Sequence, residues 1–437
     1  MIRRYEILTM LVALLLTACS DNDSFSTSKG NLLSIPMDTL KMDTIFSAIP
    51  SSTYSFWINN HSGDGIRIAT ARLERGSQSG FRVNVDGTFL NPVATDFEVR
   101  KGDSIRVFVE VTTRATNVLD PQLVEDNLLL TLESGVTQRI NLRTWSWDAT
   151  LLGSLLIDRD TVIESTRPII VADSIVVASG AHLTIRNSQL YFHDGASLRV
   201  HGELHAEQCL FRGDRLDHMF DYLPYDRVSG QWQGIVLEGP DAHHSFTDCH
   251  VRNATVAVSC DSTSLSLLRC NVHNSKGHGL TARNSTLDIN YCQLTNTLGD
   301  CLHIEGGTTT VAHTTLAQFY PFTAPRGAAI RFVSSNVDLN LSCSTTLITG
   351  YEADVVMGQQ FDTLHAFDYR FADCILRTDS VDDSLHFERI RWEMPTDSVQ
   401  GKQHFRTIDE DNLYYDFTID SISTALPLGI GCLLSEE

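Results

Sequence analysis

Residues 244–319 contain a repeat that constrains the fold more than any other feature of the chain. Three blocks share a Cys, an apolar residue two positions later and an Asn four positions later. They read FTDCHVRNA (246–254), LLRCNVHNS (267–275) and INYCQLTNT (289–297). A fourth block, AHTTLAQF (312–319), places Thr314, Leu316 and Gln318 at the same positions. The period is 21 to 22 residues, which is typical of a solenoid.

Each period also holds three short segments in which apolar and polar residues alternate. Before the Cys position stand Leu265 and Leu267, then Leu287 and Ile289; ten residues after it stand Leu280 and Leu302. Alternation with period two predicts strands, and nothing between them has a helical pattern. The repeat therefore predicts a parallel β-helix in which each period is one turn, or rung, and equivalent residues stack about 4.8 Å apart.

Stacking assigns a structural role to the repeated residues. An inward position receives Cys249, Cys270 and Cys292, and a corner position receives Asn253, Asn274 and Asn296. Asn tolerates the left-handed turn conformation, and stacked amides can hydrogen-bond to one another. Parallel Cα–Cβ vectors do not suit a disulfide, so we expect the three cysteines to be free, buried thiols.

The chain starts with a targeting segment. Arg3 and Arg4 precede an apolar run that is too short for a membrane span and ends in Leu16-Thr17-Ala18-Cys19, as in a signal peptide. This ending resembles a bacterial lipobox. The resemblance implies cleavage before Cys19, lipidation of that thiol and an outer-membrane anchor, with residues 19–31 as acylated Cys and tether. The acidic SDNDSF that follows is similar to a surface-export signal, which implies exposure at the cell surface.

The charge of the chain excludes some partners. The formal net charge is −21 at pH 7, which favours solubility and disfavours nucleic acid and anionic membrane surfaces as ligands. No cofactor and no metal site are expected from the sequence.

Residues 32–148 differ from the repeat region. About seven alternating segments, from STYSFWINN to TQRINLRTWSWD, follow one another with turn residues between them. This pattern predicts an antiparallel β-sandwich. It resembles the immunoglobulin-like modules of envelope proteins, which implies a spacer or a binding module.

Residues 149–376 are assigned to the solenoid. VASGAHLTI (177–185) and GASLRVHGEL (195–204) resemble the opening rungs of bacterial right-handed β-helix proteins, and the resemblance implies the pectin-lyase-like fold. Cys209 and Cys374 fit the Cys position, and Thr345 is expected to lie between them. Loops 213–234 and 320–327 interrupt the rungs. Residues 377–437 are expected to form the final rungs and a C-terminal cap.

Two constellations could carry catalysis. His278 and Asp300 each follow a repeat Cys by eight residues, so they should be neighbours on adjacent turns and could form an acid–base pair. The fragments resemble parts of polygalacturonase motifs in reversed order. Glycoside hydrolysis uses two carboxylates, and only one is found here, so a hydrogen bond between rungs is the preferred interpretation. The loop acids Asp214, Asp217, Asp221 and Asp226 leave a calcium-dependent lyase site open.

A third constellation could bind a ligand. The loop of residues 213–234 carries His218, Tyr222, Tyr225 and Trp232, which could contact sugar rings or could cover the strands. The same loop begins near an RGD tripeptide (212–214), which turn chemistry explains. Asp-Ser/Thr-apolar triplets, such as those at 38, 43 and 103, resemble an envelope O-glycosylation motif or mark turns.

The sequence therefore predicts an all-β envelope lipoprotein that acts as a non-catalytic binding or adhesion module, with a polysaccharide or surface glycan as its partner. A polysaccharide lyase or glycoside hydrolase is the first alternative, and a structural envelope protein is the second. The repeat does not distinguish among them, because fold alone does not define function.

Overall fold

A computed structural model describes residues 24–220, 222–323 and 325–433. These residues form an all-β structure with long parallel sheets, as predicted. Their helical content is three short 3₁₀ segments, Tyr225–Arg227, Gly401–His404 and Leu426–Leu428. In the part of the chain described, no helix is long and apolar enough to span a membrane. The predicted signal peptide and Cys19 lie outside the described residues.

The chain divides into two compact units, Met1–Trp147 and Asp148–Glu437. The strands of the first unit are β1 (Thr39–Phe46), β2 (Tyr54–Asn59), β3 (Ile66–Leu73), β4 (Phe81–Val85), β5 (Thr88–Phe89), β6 (Val93–Val99), β7 (Ser104–Val111), β8 (Gln122–Leu132) and β9 (Thr137–Trp147).

The first unit consists of two sheets around one core. The sheets have the orders β1-β9-β8-β3-β6 and β2-β7-β4-β5, and inward residues such as Ile58, Ile68 and Val107 are fully buried. Alternation in the sequence predicts seven of these strands. The two that it misses are the two-residue β5 and β1, and β1 pairs with β9 in parallel rather than antiparallel.

The second unit contains short strands throughout. In its first half they are β10 (Thr150–Leu152), β11 (Leu155–Ile157), β12 (Thr161–Glu164), β13 (Ile169–Val171), β14 (Ser174–Val177), β15 (His182–Arg186), β16 (Gln189–Phe192), β17 (Ser197–Val200), β18 (Glu203–Glu207), β19 (Leu210–Gly213), β20 (His218–Phe220), β21 (Leu223–Pro224), β22 (Gly234–Glu238), β23 (His243–Thr247), β24 (His250–Arg252) and β25 (Val258–Asp261).

In its second half the strands are β26 (Ser264–Leu268), β27 (Asn271–Ser275), β28 (Leu280–Asn290), β29 (Gln293–Thr297), β30 (Leu302–Ala312), β31 (Thr315–Gln318), β32 (Ile330–Ser334), β33 (Leu339–Ser344), β34 (Leu347–Gly350), β35 (Val356–Gln360), β36 (Phe367–Ala372), β37 (Ile375–Leu376), β38 (Phe387–Glu388), β39 (Arg391–Trp392), β40 (Phe405–Asp409) and β41 (Tyr414–Ile419).

Two long sheets organise these strands. One has 11 strands in the order β10-β13-β16-β19-β24-β27-β29-β31-β34-β37-β39, and the other has 17 strands, from β11 to β38. Each repeat contributes one strand to the first sheet and two strand segments to the second, and neighbours pair in parallel. We call one such repeat a rung. Aliphatic, aromatic and Cys side chains fill the space inside the rungs.

The register of the rungs matches the spacing of the repeat. Val251 pairs with Val272, and Leu294 pairs with Leu316. At the last Cys position before Cys374 the structure corrects the sequence: Leu316 pairs with Ile348, so Thr346 rather than Thr345 is equivalent to Thr314. Thr345 instead has a positive φ of 50° and occupies the turn just before the inward position.

The C-terminal segment covers the outer face of the 11-stranded sheet. Strands β40 and β41 form an antiparallel hairpin, which we call the cap hairpin. Its Phe405, Phe417 and Ile419 pack with Phe319 and Leu347 in a second apolar cluster. Because this outer face is covered, β29, β31 and β34 are buried on both sides.

Candidate functional site

His278 and Asp300 lie on adjacent rungs at the same corner. Asp300 donates its backbone N–H to His278 Nδ1 at 3.0 Å, and its carboxylate Oδ2 is 3.5 Å from the same nitrogen. The equal spacing of both residues from the repeat cysteines produces this proximity, because the rungs are in register. The structure therefore brings the two sequence candidates together.

The Asp300 carboxylate is buried and fully engaged. Oδ1 accepts the backbone N–H of Ala328 at 2.7 Å, and Oδ2 accepts from His303 Nδ1 at 2.7 Å and from Arg331 Nε at 3.0 Å. Only 4% of the side chain is exposed. Three donors on one buried carboxylate make a satisfied network that joins residues 300–303 to residues 328–331.

These contacts shift the pKa values of Asp300, His303 and His278. Burial opposes ionisation of Asp300, but the hydrogen bonds from His303, Ala328 and Arg331 together lower its pKa. Burial also disfavours charge on His303, yet Asp300 and Glu305, one at each ring nitrogen, raise its pKa. His278 is different, because burial and the nearby His303 lower its pKa.

The protonation pattern limits the chemistry of this cluster. His303 faces a carboxylate on each side, which suits an imidazolium, whereas His278 accepts at Nδ1 and so carries its proton on Nε2 when neutral. Among the described residues, His278, Asp300 and His303 form the one group of three metal-ligand side chains with ligand atoms within 4.8 Å. The lone pair of His278 Nδ1 is already used, and Arg331 places positive charge beside Asp300, so hydrogen bonding fits this donor set better than a cation does.

Sequence reasoning missed His303 and Arg331. His303 pairs with Thr281 on one side and with Arg331 on the other, so all three occupy one outward position of successive rungs. Extending the alignment of the repeat beyond its fourth copy would have placed Arg331 beside His303. The loop of residues 320–327 hides that register in the sequence.

A cleft of about 400 Å³ lies on the outer face of the 11-stranded sheet. Its floor is formed by outward residues of β24 and β27, and its walls are the loop of residues 213–234 and the cap hairpin. The lining comprises Asp226, Arg227, His250, Arg252, Asn271, His273, Asn274, Asn296, Pro321, Leu413, Tyr414, Tyr415, Asp416 and Phe417. Its volume is in the range of about 300–1,000 Å³ that is common for small-ligand sites.

The cleft combines guanidinium, amide and aromatic groups. Arg252 forms an ion pair with Asp226 at 3.0 Å, and the buried Arg212 forms a second ion pair with Asp226 at 2.8 Å. Burial lowers the pKa of His273 to about 4, so this ring is neutral at pH 7. Its Nδ1 lies 2.8 Å from the Thr295 hydroxyl. Tyr414, at 53% exposure, offers an aromatic face at the rim.

The loop of residues 213–234 is anchored rather than free. Asn253 at the rung corner donates its amide to the carbonyl oxygens of Asp226 and Val228 at 2.8 and 3.1 Å. The amide of Asn253 thus binds the loop instead of stacking hydrogen bonds with Asn274 and Asn296. All three asparagines have positive φ values, from 52° to 64°, which agrees with their expected conformation.

The four loop residues proposed as ligand contacts separate in the structure. Trp232 is fully buried, stacks on Phe192 at 4.2 Å and donates to the carbonyl of Arg252, so it belongs to the core and cannot contact a sugar. Tyr225 packs under the Arg215 guanidinium at 4.4 Å. Tyr222 is 76% exposed, and His218 is half-buried in β20.

The loop acids are used within the protein. Asp214 lies 2.7 Å from His193 Nδ1, and Asp217 pairs with Arg215 at 2.6 Å. Asp221 lies outside the described residues. Because Arg212 and Asp214 are both buried, the RGD tripeptide is not presented on the surface. The described loop acids therefore do not converge on a calcium site.

The repeat cysteines Cys249, Cys270 and Cys292 are free thiols, each at most 3% exposed. Their sulfurs donate to the backbone carbonyls of Thr247, Leu268 and Asn290 at 3.1–3.4 Å. They fill the rung interior as small apolar groups with a weak donor.

Comparisons with known proteins give little further information. No family model matches the chain, and no curated protein matches it. One solved structure with partial similarity is a family 123 glycoside hydrolase from Clostridium perfringens that hydrolyses glycolipid glycans. The match has 8% identity and a TM-score of 0.20, and it covers 28% of this chain and 26% of the hydrolase. Similarity at this level carries no argument about fold or function.

Proposed function

We propose that this chain is an envelope lipoprotein whose second unit binds a glycan in the cleft between the loop of residues 213–234 and the cap hairpin, without catalysis. In this proposal the second unit is a right-handed parallel β-helix of the pectin-lyase-like class. The first unit is an immunoglobulin-like spacer, and the acylated Cys19 holds the protein at the outer membrane with the cleft at the cell surface.

The cleft itself is the observation that carries this proposal. Sugars present hydroxyl groups and apolar ring faces, and their sites combine planar hydrogen-bonding side chains with aromatic rings. The cleft offers both, through Arg227, Arg252 and Asn271 on one side and Tyr414 on the other. Neutral His273 adds a ring without adding charge.

The state of Asp300 supports a role without catalysis. A general acid or base needs a carboxyl group that can exchange a proton with substrate. Asp300 is buried under three donors that lower its pKa. In the loop, Tyr225 contacts Arg215 and Asp226 contacts Arg252. A rigid binding surface needs no such proton exchange.

Affinity electrophoresis of the mature chain, without residues 1–19, against a panel of neutral and acidic polysaccharides tests the proposal. We expect retention on at least one polymer and about tenfold weaker binding for Arg227→Ala and Tyr414→Ala, because each removes one ligand-facing group. Arg199→Ala is the matched control, since Arg199 is exposed on β17, away from the cleft lining. If Arg227→Ala, Tyr414→Ala and Arg199→Ala weaken polysaccharide binding equally, the ligand does not bind in the cleft. The same holds if a fourth variant, Tyr222→Ala, is the one that weakens binding.

Product release from the same polymers, with and without Ca²⁺, tests the alternative of catalysis. New reducing ends or unsaturated products that disappear in His278→Ala would replace the binding proposal with a hydrolase or lyase. Neither retention nor product release would leave a structural envelope role.

A further inference from the structure

A second group of histidines and carboxylates lies on the 17-stranded sheet, away from the cleft. His182 on β15 pairs with Glu203 on β18, and His205 follows Glu203 by two residues on the same strand. Since side chains two residues apart share a face of a strand, His205 and Glu203 point to the same side of the sheet. Asp160 accepts the backbone N–H of His182 at 3.2 Å, which places it in the same column one rung earlier.

Glu203 lies between the two imidazoles. Its Oε2 is 3.5 Å from His182 Nε2 and 3.6 Å from His205 Nε2. Donor atoms around a tetrahedral Zn²⁺ are about 3.3 Å apart, because each lies about 2.0–2.1 Å from the metal. Each nitrogen is close to this spacing from the carboxylate oxygen, whereas the two nitrogens lie more than 4.8 Å from each other. The three side chains are between 26% and 50% exposed, so the imidazoles have solvent around them in which to rotate toward one ion.

The other nitrogen of each imidazole is already held. His182 Nδ1 lies 3.2 Å from an oxygen of Asp160, and His205 Nδ1 lies 2.8 Å from the Ser245 hydroxyl. Histidines that ligate metals almost always bond their second nitrogen to a carboxylate or another polar group, which fixes the tautomer and the ring orientation. Both histidines here have such a partner, and both direct Nε2 toward the same carboxylate.

We propose that His182, Glu203 and His205 form a binding site for Zn²⁺ or a related divalent transition metal. Two imidazole nitrogens and one carboxylate oxygen are ligands of the type that zinc binds. Three protein ligands leave the fourth position for water or for a donor from another molecule. This site is independent of the proposed glycan cleft, since none of its residues lines that cleft.

Two other groups of histidines and carboxylates, the His201–Glu238 pair and the cluster of His278, differ from this site. His201 contacts Glu238 at 2.9 Å as an isolated pair, so it offers one imidazole and one carboxylate only. In the cluster of His278 the lone pair of Nδ1 accepts a backbone N–H. In the group around Glu203, two imidazole Nε2 atoms approach one carboxylate oxygen while both Nδ1 atoms are engaged.

Zn²⁺ titration of the mature chain without residues 1–19, in competition with a chromogenic chelator, tests the proposal. We expect about one equivalent bound at this site. His182→Ala and His205→Ala should each weaken binding by more than about tenfold, and Glu203→Gln by about tenfold. Co²⁺ added in place of Zn²⁺ should give visible absorption bands of a low-coordinate site, and these bands should disappear in the two histidine variants.

The controls are His201→Ala, which removes a similarly exposed histidine directly after β17, and His278→Ala, which tests the other cluster. Both should bind Zn²⁺ as the parent chain does. Unchanged circular dichroism melts of all variants will exclude unfolding as the cause. The proposal fails if the parent chain binds no Zn²⁺, if His182→Ala and His205→Ala retain parent affinity, or if a control variant weakens binding as much as they do.

Discussion

At the scale of single residues, Asn253 connects a rung corner to the loop of residues 213–234. Its positive φ of 64° suits Asn, and its amide is the donor to two loop carbonyls. We predict that Asn253→Ala costs about 1–3 kcal/mol, since it removes one donor from each of those carbonyls and strains the corner. Limited proteolysis should then cut the loop faster.

Asn253→Asp is the matched variant, because Asp tolerates the same backbone conformation but lacks the amide donor. If Asn253→Asp leaves the loop as resistant as the parent chain, the hydrogen bonds to Asp226 and Val228 do not hold the loop.

His244 gives the second unit a dependence on pH. It is 3% exposed, accepts the backbone N–H of Leu204 at Nδ1, and lies 3.1 Å from the Thr263 hydroxyl. Burial lowers its pKa to about 4. A folded pKa below that of the unfolded chain means that the unfolded state binds the proton first. The stability contributed by neutral His244 is therefore complete above about pH 6.5 and declines as the pH falls toward 4.

We predict that acidification from pH 7 to pH 4.5 destabilises the parent chain more than His244→Gln, by up to about 3 kcal/mol, because glutamine has no proton to gain in this range. Hydrogen exchange of amides in β18 and β23 measures the difference. Parallel pH profiles for the two proteins would show that His244 does not titrate with unfolding.

The residues of the buried cluster show what the sequence could and could not provide. His278 and Asp300 could be placed side by side because both lie at a fixed distance from a repeat Cys. His303 also lies within the regular repeat, one rung from Thr281, whereas Arg331 could not be placed because the loop before it changes the spacing between rungs. The role of Trp232 was predicted wrongly, because an aromatic residue in a loop sequence does not reveal that it fills the rung interior beside Phe192.

At the scale of elements, a buried ion-pair network joins the cap hairpin to the last rungs. Glu393 follows β39 and binds Arg377 at 2.5 Å, His404 Nε2 at 3.0 Å and the backbone N–H of Gly401 at 2.7 Å. Burial opposes its ionisation, but His404, Arg377 and Gly401 together lower its pKa. Removing one partner of a buried pair leaves an uncompensated charge.

We predict that Glu393→Gln destabilises the segment of residues 400–433 by about 3–5 kcal/mol, because it leaves the Arg377 guanidinium buried without its carboxylate. Hydrogen exchange in β40 and β41 should increase before exchange elsewhere in the second unit. Lys402→Ala, which removes an exposed pair with Glu410 at 3.5 Å, should change stability by less than about 1 kcal/mol. Equal effects of both substitutions would contradict a special role for the buried network.

The sequence predicted strands wherever apolar and polar residues followed a regular period. Alternation in residues 244–319 predicts the strands and their pairing because each face of a strand meets a distinct environment. The cap hairpin has no repeat, and its position on the sheet depends on Phe405 and Phe417 meeting Phe319, far away in sequence. Such contacts have no local signature. The wall of the cleft that the cap hairpin forms could therefore not be derived from the sequence, whereas the loop of residues 213–234 was already a candidate for ligand binding.

At the scale of the whole molecule, the two units have separate hydrophobic cores. We predict that residues 148–437 fold without the first unit and keep the affinity of the mature chain for both Zn²⁺ and any glycan retained in the cleft. Circular dichroism and the two binding assays measure this. A fragment that folds but binds tenfold more weakly than the mature chain would show that the first unit contributes to a site.

The cleft is completed by a segment that is synthesised after its floor. Its floor and one wall come from residues 226–296, whereas the other wall comes from residues 413–417. Further along the chain, Cys432 donates its backbone N–H to the Thr315 hydroxyl on β31, which ties the segment after the cap hairpin to the same sheet. A polypeptide cut before residue 413 lacks the second wall, so it has no closed cleft. Binding in the cleft therefore reports that the segment after the rungs is present and docked.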